Sequence, residues 1–269
     1  MITLAIACAA AGATFAVFYM VLGLSAGWSV FGAFALFASV QLAAGMFIRK
    51  KVKEVMDEVQ RIMLAGREKI EAKTRRWQFR PPGSVKEAKN EIERDQRVFT
   101  LDAIRATEKM RRWKNWMPFL ERQLATAQLQ LRWILKDFDK VDELMARAIM
   151  IGPDMAAMKL ARMQMKGESV EAMRKVYEKS AKRAKYNGNV LADACWSWIL
   201  VKRGMADEAF KALTAALRKS DDAVLKTNRE HLMNNRVSHF SNSALGERWY
   251  SLMLEEPKIR MQRPRQVYR

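Results

Sequence analysis

The sequence contains few of the residues from which disulfide frameworks, metal sites and phosphate-binding loops are built. Its 269 residues include 2 cysteines, 2 histidines, 12 glycines and 6 prolines. Cys8 and Cys195 lie far apart, which excludes a disulfide framework and favours a reducing compartment. Long alternation of Val, Ile and Thr is also missing, whereas Ala, Met, Leu, Lys, Arg and Glu are abundant. This composition predicts an all-α fold.

The sequence also lacks the common motifs of enzyme active sites. It has no GxxxxGK[ST], GxGxxG, HExxH or GxSxG pattern. His231 and His239 are too far apart in sequence to place two metal ligands at positions i and i+4 of one helix. Cys195 lies in the apolar stretch ADACWSWIL, where we interpret it as a core residue. We therefore predict that the protein is not an enzyme and has no catalytic, cofactor-binding or metal-binding residues.

Charged residues are absent from the first 48 residues of the chain. The turn-like break SAG at Ser25–Gly27 divides this segment into two apolar runs, at about 2–24 and 28–48. A helix needs roughly 20 apolar residues to cross a bilayer, so the pattern predicts a transmembrane helical hairpin. A single signal anchor and a cleaved signal peptide are the alternatives, although no basic residue precedes the first run.

Basic residues directly after the second apolar run predict the orientation of the hairpin. Arg49, Lys50, Lys51 and Lys53 form this cluster, and such clusters lie on the cytoplasmic side of a membrane. The sequence therefore predicts an integral protein of a bacterial inner membrane, with the C-terminal domain in the cytoplasm.

Residues 49–118 form a basic helical neck in this interpretation. An apolar stripe that begins at Val52, Val55 and Val59 predicts an amphipathic stalk that continues the second span. The sequence RPPGS at Arg80–Ser84 ends that helix, because tandem prolines cannot continue it. Ser84 is the predicted N-cap of a second helix that extends to about residue 116, with Glu87 as its capping-box partner.

Two basic-aromatic clusters, KTRRWQFR and RRWKNW, lie in the neck. Residues 49–118 contain 20 basic and 11 acidic side chains, and the whole chain has a formal charge of +19. One hypothesis places these residues against anionic lipid headgroups, and the alternative is that the tryptophans pack between helices. The first hypothesis assigns membrane-surface contacts to Arg49, Lys50, Lys51, Lys53, Trp77, Arg111, Arg112 and Trp113.

A spacing pattern recurs in the second half of the chain. Positions 0, 3, 7 and 10 of a helix carry Phe138, Val141, Met145 and Ala148, and the same offsets recur from Ser169 and from Ala206. A short polar link precedes each such helix, and an apolar helical stretch precedes each link. This arrangement resembles the tetratricopeptide repeat family across roughly residues 121–221. The resemblance implies a stack of helical hairpins within residues 119–256, and a helical array without true repeats is the alternative.

In the resembled family, partner segments lie in a concave groove lined by the first helix of each repeat. Carried over by position, the first repeat contributes Gln123, Thr126, Gln130 and Trp133. The second contributes Asp154, Ala157, Ala161 and Gln164, and the third contributes Ala194, Trp198, Val201 and Lys202. The resemblance singles out Gln123, Gln130, Trp133, Gln164, Trp198 and Lys202 as partner-binding candidates, with Trp133 and Trp198 as anchors. The alternative is that both tryptophans belong to the core.

The chain ends in two segments of different character. SNSALGERWYSLMLEEP is interpreted as a degenerate or capping fourth repeat, and residues 257–269 as a basic flexible tail. Together these features predict a membrane-anchored scaffold that binds or assembles other proteins at the cytoplasmic face. The alternatives are an accessory subunit of a membrane protein complex and, with less support, a membrane-associated nucleic-acid-binding protein.

Overall fold

A computed structural model describes residues 2–80, 82–117, 119–186 and 188–257. Within these ranges the chain forms helices and connecting turns, with no β-strand. The chain divides into two compact units, Met1–Ile149 and Met150–Arg269. The predicted boundary near residue 118 differs from this division, because the first predicted repeat lies in the same unit as the stalk. The predicted basic tail lies outside the described residues, apart from Pro257.

The first unit begins with the predicted helical hairpin. Helix α1 (Ile2–Ala16) continues as a π-helix (Val17–Val21), and α2 starts at Ala26 after a turn in which Gly23 has a φ of 62°. The helical run Ile2–Val21 and helix α2 each contain an 18-residue window apolar enough to cross a membrane, with mean hydropathies of 2.0 and 1.8. Only 6% of each window is buried, so these helices do not form the core of the chain itself.

Helix α2 is one continuous helix, Ala26–Trp77, of 52 residues. At 1.5 Å per residue it is about 78 Å long, so it contains both the apolar run and the amphipathic stalk. It ends shortly before the tandem prolines, as predicted. Helix α3 (Val85–Glu108) follows, and the Ser84 side chain accepts a hydrogen bond from the Glu87 amide at 3.1 Å. The predicted N-cap is therefore confirmed, and it fixes where the chain turns back.

Helix α3 packs antiparallel against the stalk part of α2. Lys73 donates a hydrogen bond to Asp95, which raises the pKa of Lys73, and Lys109 bonds to Glu58 at 2.6 Å. Between these polar pairs, Val59 packs with Ala103 and Ala106. Residues later in α3 therefore contact residues earlier in α2, so the two helices run antiparallel.

Close contact between α2 and α3 depends on Gly66. This glycine is buried, and a Cβ atom at its position would collide with the ring of Phe99. Alanine is normally preferred to glycine within a helix, by about 1 kcal/mol. At this position we expect the steric cost to exceed that preference.

We predict that Gly66→Ala destabilises the α2–α3 pair by about 1 to 2 kcal/mol, because overpacking costs more than the gain in helix propensity. Amide hydrogen exchange of α3 in the detergent-solubilised full chain measures this change. Gly45→Ala on the same helix is the matched control, since a Cβ there would meet nothing within 4 Å. Slower exchange of α3 in Gly66→Ala than in the wild type would contradict the prediction.

The predicted second neck helix ends earlier than expected. Helix α3 stops at Glu108, and a 3-10 helix (Lys109–Trp113) and a turn follow. Helices α4 (Leu120–Ile134) and α5 (Phe138–Met145) complete the unit, at the positions expected for the first repeat. Leu131 of α4 packs on α2 and α3, and Leu120 and Leu124 pack against Val55 and Met110. The stalk and α4 therefore pack together in two apolar clusters.

The second unit contains helices α6 (Pro153–Met165), α7 (Val170–Arg183), α8 (Val190–Lys202), α9 (Ala206–Ala216) and α10 (Ala223–Met233). The pairs α6–α7 and α8–α9 lie where the recurring pattern predicts them. Helix α8 is buried from Val190 to Leu200, since it is apolar on all sides. It packs against α6, where the Cys195 thiol lies 3.7 Å from the Ala157 carbonyl oxygen.

The predicted fourth repeat does not form a helical pair. After α10 the chain makes two short 3-10 helices (Val237–His239 and Ser243–Leu245) and the single-turn helix α11 (Glu247–Tyr250). The buried amide of Asn242 accepts from Asn228 at 2.8 Å and donates to the Ala194 carbonyl at 2.9 Å. This segment therefore closes the second unit through specific hydrogen bonds to α8 and α10.

Candidate functional site

Residues 109–117, here called the basic-aromatic segment, lie against both ends of the apolar hairpin. The Ile2 amide donates to the Asn115 carbonyl at 2.9 Å, and the Thr3 hydroxyl donates to the Trp116 carbonyl at 2.9 Å. On the other side, the Phe47 ring of α2 packs edge-on against Trp113, with 5.8 Å between centroids. The start of α1 and the end of the apolar run in α2 thus meet at one level, and the segment joins them.

Most of the predicted membrane-surface residues lie at this level or within the next turn and a half of α2. Arg49, Lys50 and Lys53 are exposed, and Lys51 is half-buried and pairs with Glu54 at 2.9 Å. Arg111 and Arg112 are also exposed on the basic-aromatic segment. The structure therefore gathers two stretches that are about 60 residues apart in sequence into one positively charged region.

Two predicted contacts do not fit this region as expected. Trp113 is half-buried between Phe47 and Trp116, and the Arg112 guanidinium lies 5.4 Å from the centroid of its ring. Trp113 thus packs between helices, as the alternative interpretation proposed. Trp77 ends α2, and at 1.5 Å per residue it lies about 44 Å along that helix from Ile48. The continuity of α2 separates Trp77 from the other residues.

Two residues of this region were missed by sequence reasoning. Lys114 is exposed on the basic-aromatic segment, and Phe119, two residues after the end of that segment, is 65% accessible. Lys114 belongs to the cluster RRWKNW and follows Trp113 directly, whereas Phe119 lies six residues beyond Trp113. Charge and aromatic content gave the signal, but only the fold shows which members of the cluster face outward.

Five of the twelve predicted groove positions are buried, and they include Trp133 and Trp198, which lie in the core as the alternative interpretation stated and are not groove anchors. Trp133 is 3% exposed and packs edge-on against Phe138, and Trp198 is 8% exposed. The predicted positions at Ala157, Ala161 and Ala194 are fully buried. The physical reason is that the small and aromatic side chains of these helices fill the contacts between helices instead of an open surface.

Other groove candidates have solvent access or polar partners. Gln130 and Lys202 are exposed, and Gln123 and Thr126 are half-buried. The Gln164 side chain accepts from the Arg203 guanidinium at 3.1 Å. Asp154 is exposed and pairs with Arg248 at 3.2 Å, and Val201 is half-buried. The structure places Gln164, Lys202 and Arg203 in the second unit, and Gln123 and Gln130 in the first.

Trp198 takes part in a carboxylate clamp that the sequence did not reveal. The Glu255 carboxylate accepts from the Trp198 indole at 2.9 Å and from the Trp249 indole at 2.8 Å. The two rings meet edge-on at 5.8 Å, and Lys202 lies 5.3 Å from the Trp198 ring centroid. No partner for Glu255 is evident among its neighbours in the sequence, because its bond to Trp198 depends on the fold that returns this segment to α8.

A second buried polar cluster lies between α7 and α8. Burial raises the pKa of Asp193 to about 6, and hydrogen bonds from Asn189 and Tyr177 only partly oppose this shift. Asn189 donates to Asp193 at 2.5 Å and accepts from Ser180 at 2.7 Å. Burial also raises the pKa of Tyr177, whose ring stacks on Trp196 at 5.4 Å. The cluster fixes α7 against α8, and burial holds the pKa of its carboxyl group well above the ordinary value.

Cys195 is a core residue, and the two histidines lie close to each other. Cys195 is fully buried, which raises the pKa of its thiol, as expected for a core residue. His231 and His239 are brought together by the turn after α10, with 5.7 Å between ring centroids. Residues 2–80, 82–117, 119–186 and 188–257 hold no group of three or more His, Cys, Asp or Glu suited to a metal ion.

Known proteins add no assignment to this geometry. Models of known protein families give no match to the chain, and neither curated proteins nor solved structures give a significant one. The resemblance to tetratricopeptide repeats therefore stays a prediction. The structure defines an all-helical protein whose first two helices are long and apolar enough to cross a membrane.

Proposed function

We propose that the protein is a membrane-anchored helical scaffold that binds or assembles partner proteins at the cytoplasmic face. The observation that carries this proposal is α2, in which one uninterrupted helix contains the apolar run and the stalk. A partner bound to the helical units would thereby be held near the bilayer. Arg49, Lys50, Lys53, Arg111 and Arg112 support the orientation, because basic residues at this end of the hairpin favour the cytoplasm.

The contacts between the basic-aromatic segment and the hairpin support a surface role for that segment. Its backbone carbonyls accept hydrogen bonds from Ile2 and Thr3. The segment therefore cannot move away from the apolar helices without breaking these two hydrogen bonds. In the proposed orientation this places its basic side chains beside lipid headgroups. Each such residue near an anionic surface contributes about 1 kcal/mol to membrane attraction.

The proposed partner surface is limited to exposed polar side chains of the helical units. Gln130 and Lys202 remain candidates because they are exposed, whereas Trp133 and Trp198 serve the core. Peptide carboxylates suit Lys202, whose ammonium group is held over the Trp198 ring.

Membrane insertion and orientation are tested together in cells. We expect the full chain to remain in the membrane pellet after alkaline carbonate extraction, and a variant lacking residues 2–48 to leave it. A reporter fused after Arg269 is expected to give a cytoplasmic signal. Extraction of the full chain by carbonate, or a periplasmic signal, would contradict the proposal.

A further inference from the structure

A small cavity lies beside the basic-aromatic segment within the first unit. Its volume is about 170 Å³, and it opens to solvent between the 3-10 helix Lys109–Trp113 with the turn after it, α4 and the end of α5. Leu120, Leu124 and Leu144 form an apolar floor, and all three are buried. Arg111, Lys114 and Arg147 line it with positive charge. A ligand that fits this cavity combines an anionic group with an apolar part.

The charges of the lining residues are not balanced within the cavity. Its lining contains three basic residues and one acidic residue, Glu121. Arg111 pairs with Glu108 at 2.9 Å, and Arg147 pairs with Glu143 at 2.6 Å, but neither glutamate lines the cavity. Both pairs are solvent-exposed, and exposed pairs contribute little stability. Lys114 forms no ion pair with any residue of the described ranges. The arrangement therefore favours a ligand with net negative charge.

The position of the cavity relative to the hairpin identifies the source of that ligand. Arg111 and Lys114 belong to the segment that contacts Ile2 and Phe47, the outer ends of the two apolar runs. If these runs cross the bilayer, the two basic side chains lie at the level of the phosphate groups of one leaflet. This step rests on the membrane anchor in the proposed function.

We propose that the cavity binds the phosphate of one anionic phospholipid. Arg111, Lys114 and Arg147 would donate hydrogen bonds to the phosphate oxygens, and guanidinium groups match this geometry well. The leucine floor would contact the first methylene groups of an acyl chain. That floor, together with the level of the cavity, favours a lipid over a soluble phosphate ion.

Titration of the full chain in an uncharged detergent with short-chain phosphatidylglycerol tests this proposal by calorimetry. We expect one binding site in the wild type. Lys114→Gln and Arg147→Gln are each expected to weaken binding by about fivefold or more, since each removes a charge-assisted hydrogen bond. Arg105→Gln is the matched control, because it removes one exposed positive charge that does not line the cavity. A change below about twofold is expected for it.

Three outcomes would overturn the proposal. The first is equal weakening by lining and control variants, which indicates general electrostatic attraction. The second is inorganic phosphate or short-chain phosphatidylcholine binding as tightly as phosphatidylglycerol, which indicates a different ligand. The third is no binding to the wild type. Carbonate extraction of the same wild-type chain separates these results from failure of the membrane anchor, since a chain that stays in the pellet but binds no lipid overturns the site alone.

Discussion

Replacing Glu255 by alanine is expected to destabilise the second unit by about 3 to 4 kcal/mol, the largest effect among our predictions. The variant leaves the indole nitrogens of Trp198 and Trp249 without their acceptor, and both tryptophans are buried, at 8% and 0% exposure. A buried donor that loses its partner costs about 1 to 3 kcal/mol, and more when the partner was charged. Two donors share this carboxylate, so one substitution affects both.

The Cys195 thiol provides the measurement. It is fully buried in α8, next to Trp196, so it reacts with a thiol reagent only when the second unit opens. Cys8 is exposed and is first replaced by serine. Pulsed labelling of the full chain across a urea series then gives the free energy of opening. Faster labelling of Glu255→Ala at low urea is the expected result.

Two control variants define what the clamp contributes. Glu256→Ala removes the exposed neighbouring carboxylate, and we expect a change within about 0.5 kcal/mol. Glu255→Gln retains one acceptor oxygen, so an intermediate loss is expected. If Cys195 becomes labelled at the same urea concentration in Glu255→Ala and in Glu256→Ala, the clamp has no role in stability.

The second large effect is a pH dependence that originates at Asp193. The pKa of this residue is about 6 in the folded protein and 3.8 for an ordinary aspartate, so the folded state prefers its protonated form. As the pH rises from about 4 to about 6, Asp193 loses its proton first in the unfolded state, and the folded state becomes less favourable. The contribution of Asp193 to stability therefore falls between about pH 4 and pH 6, by up to about 3 kcal/mol.

Asp193→Asn is expected to remove this dependence. The stability of the variant relative to the wild type should increase by about 2 to 3 kcal/mol from pH 4 to pH 7, since asparagine carries no charge to bury. The groups that face Asp193 are Tyr177, Asn189 and Lys219, and all three are retained. Cys195 labelling with a disulfide reagent active in acid measures the difference. Asp207→Asn, at the exposed start of α9, is the control. A pH-independent difference would contradict the prediction.

The sequence predicted the helical elements well where the signal was local. The apolar hairpin, its continuation into the stalk, the end of α2 before the tandem prolines and the Ser84 cap are all present. Each of these depends on neighbours within a few turns of helix, namely hydropathy, proline stereochemistry and a side-chain cap. The helices of the three predicted pairs also lie at the expected positions, because the links between them interrupt the apolar pattern.

Local signals were insufficient for the tryptophans. Trp133 and Trp198 have the same apolar, helical context whether they face a groove or a core, and the sequence left both interpretations open. The structure assigns them to the core. Trp77 and Trp113 likewise occur in similar basic-aromatic clusters, yet the length of α2 separates the first from the hairpin and α2 itself covers part of the second.

The sequence alone determined the all-helical character, the apolar hairpin and the position of the basic charge after it, because composition and short-range periodicity govern these features. Tertiary structure decided which residues meet across the chain. It joined the basic-aromatic segment to Ile2 and Phe47, and it placed Glu255 beside the Trp198 indole. Contacts between residues 50 or more positions apart depend on how helices pack, and no local pattern in the sequence encodes that packing.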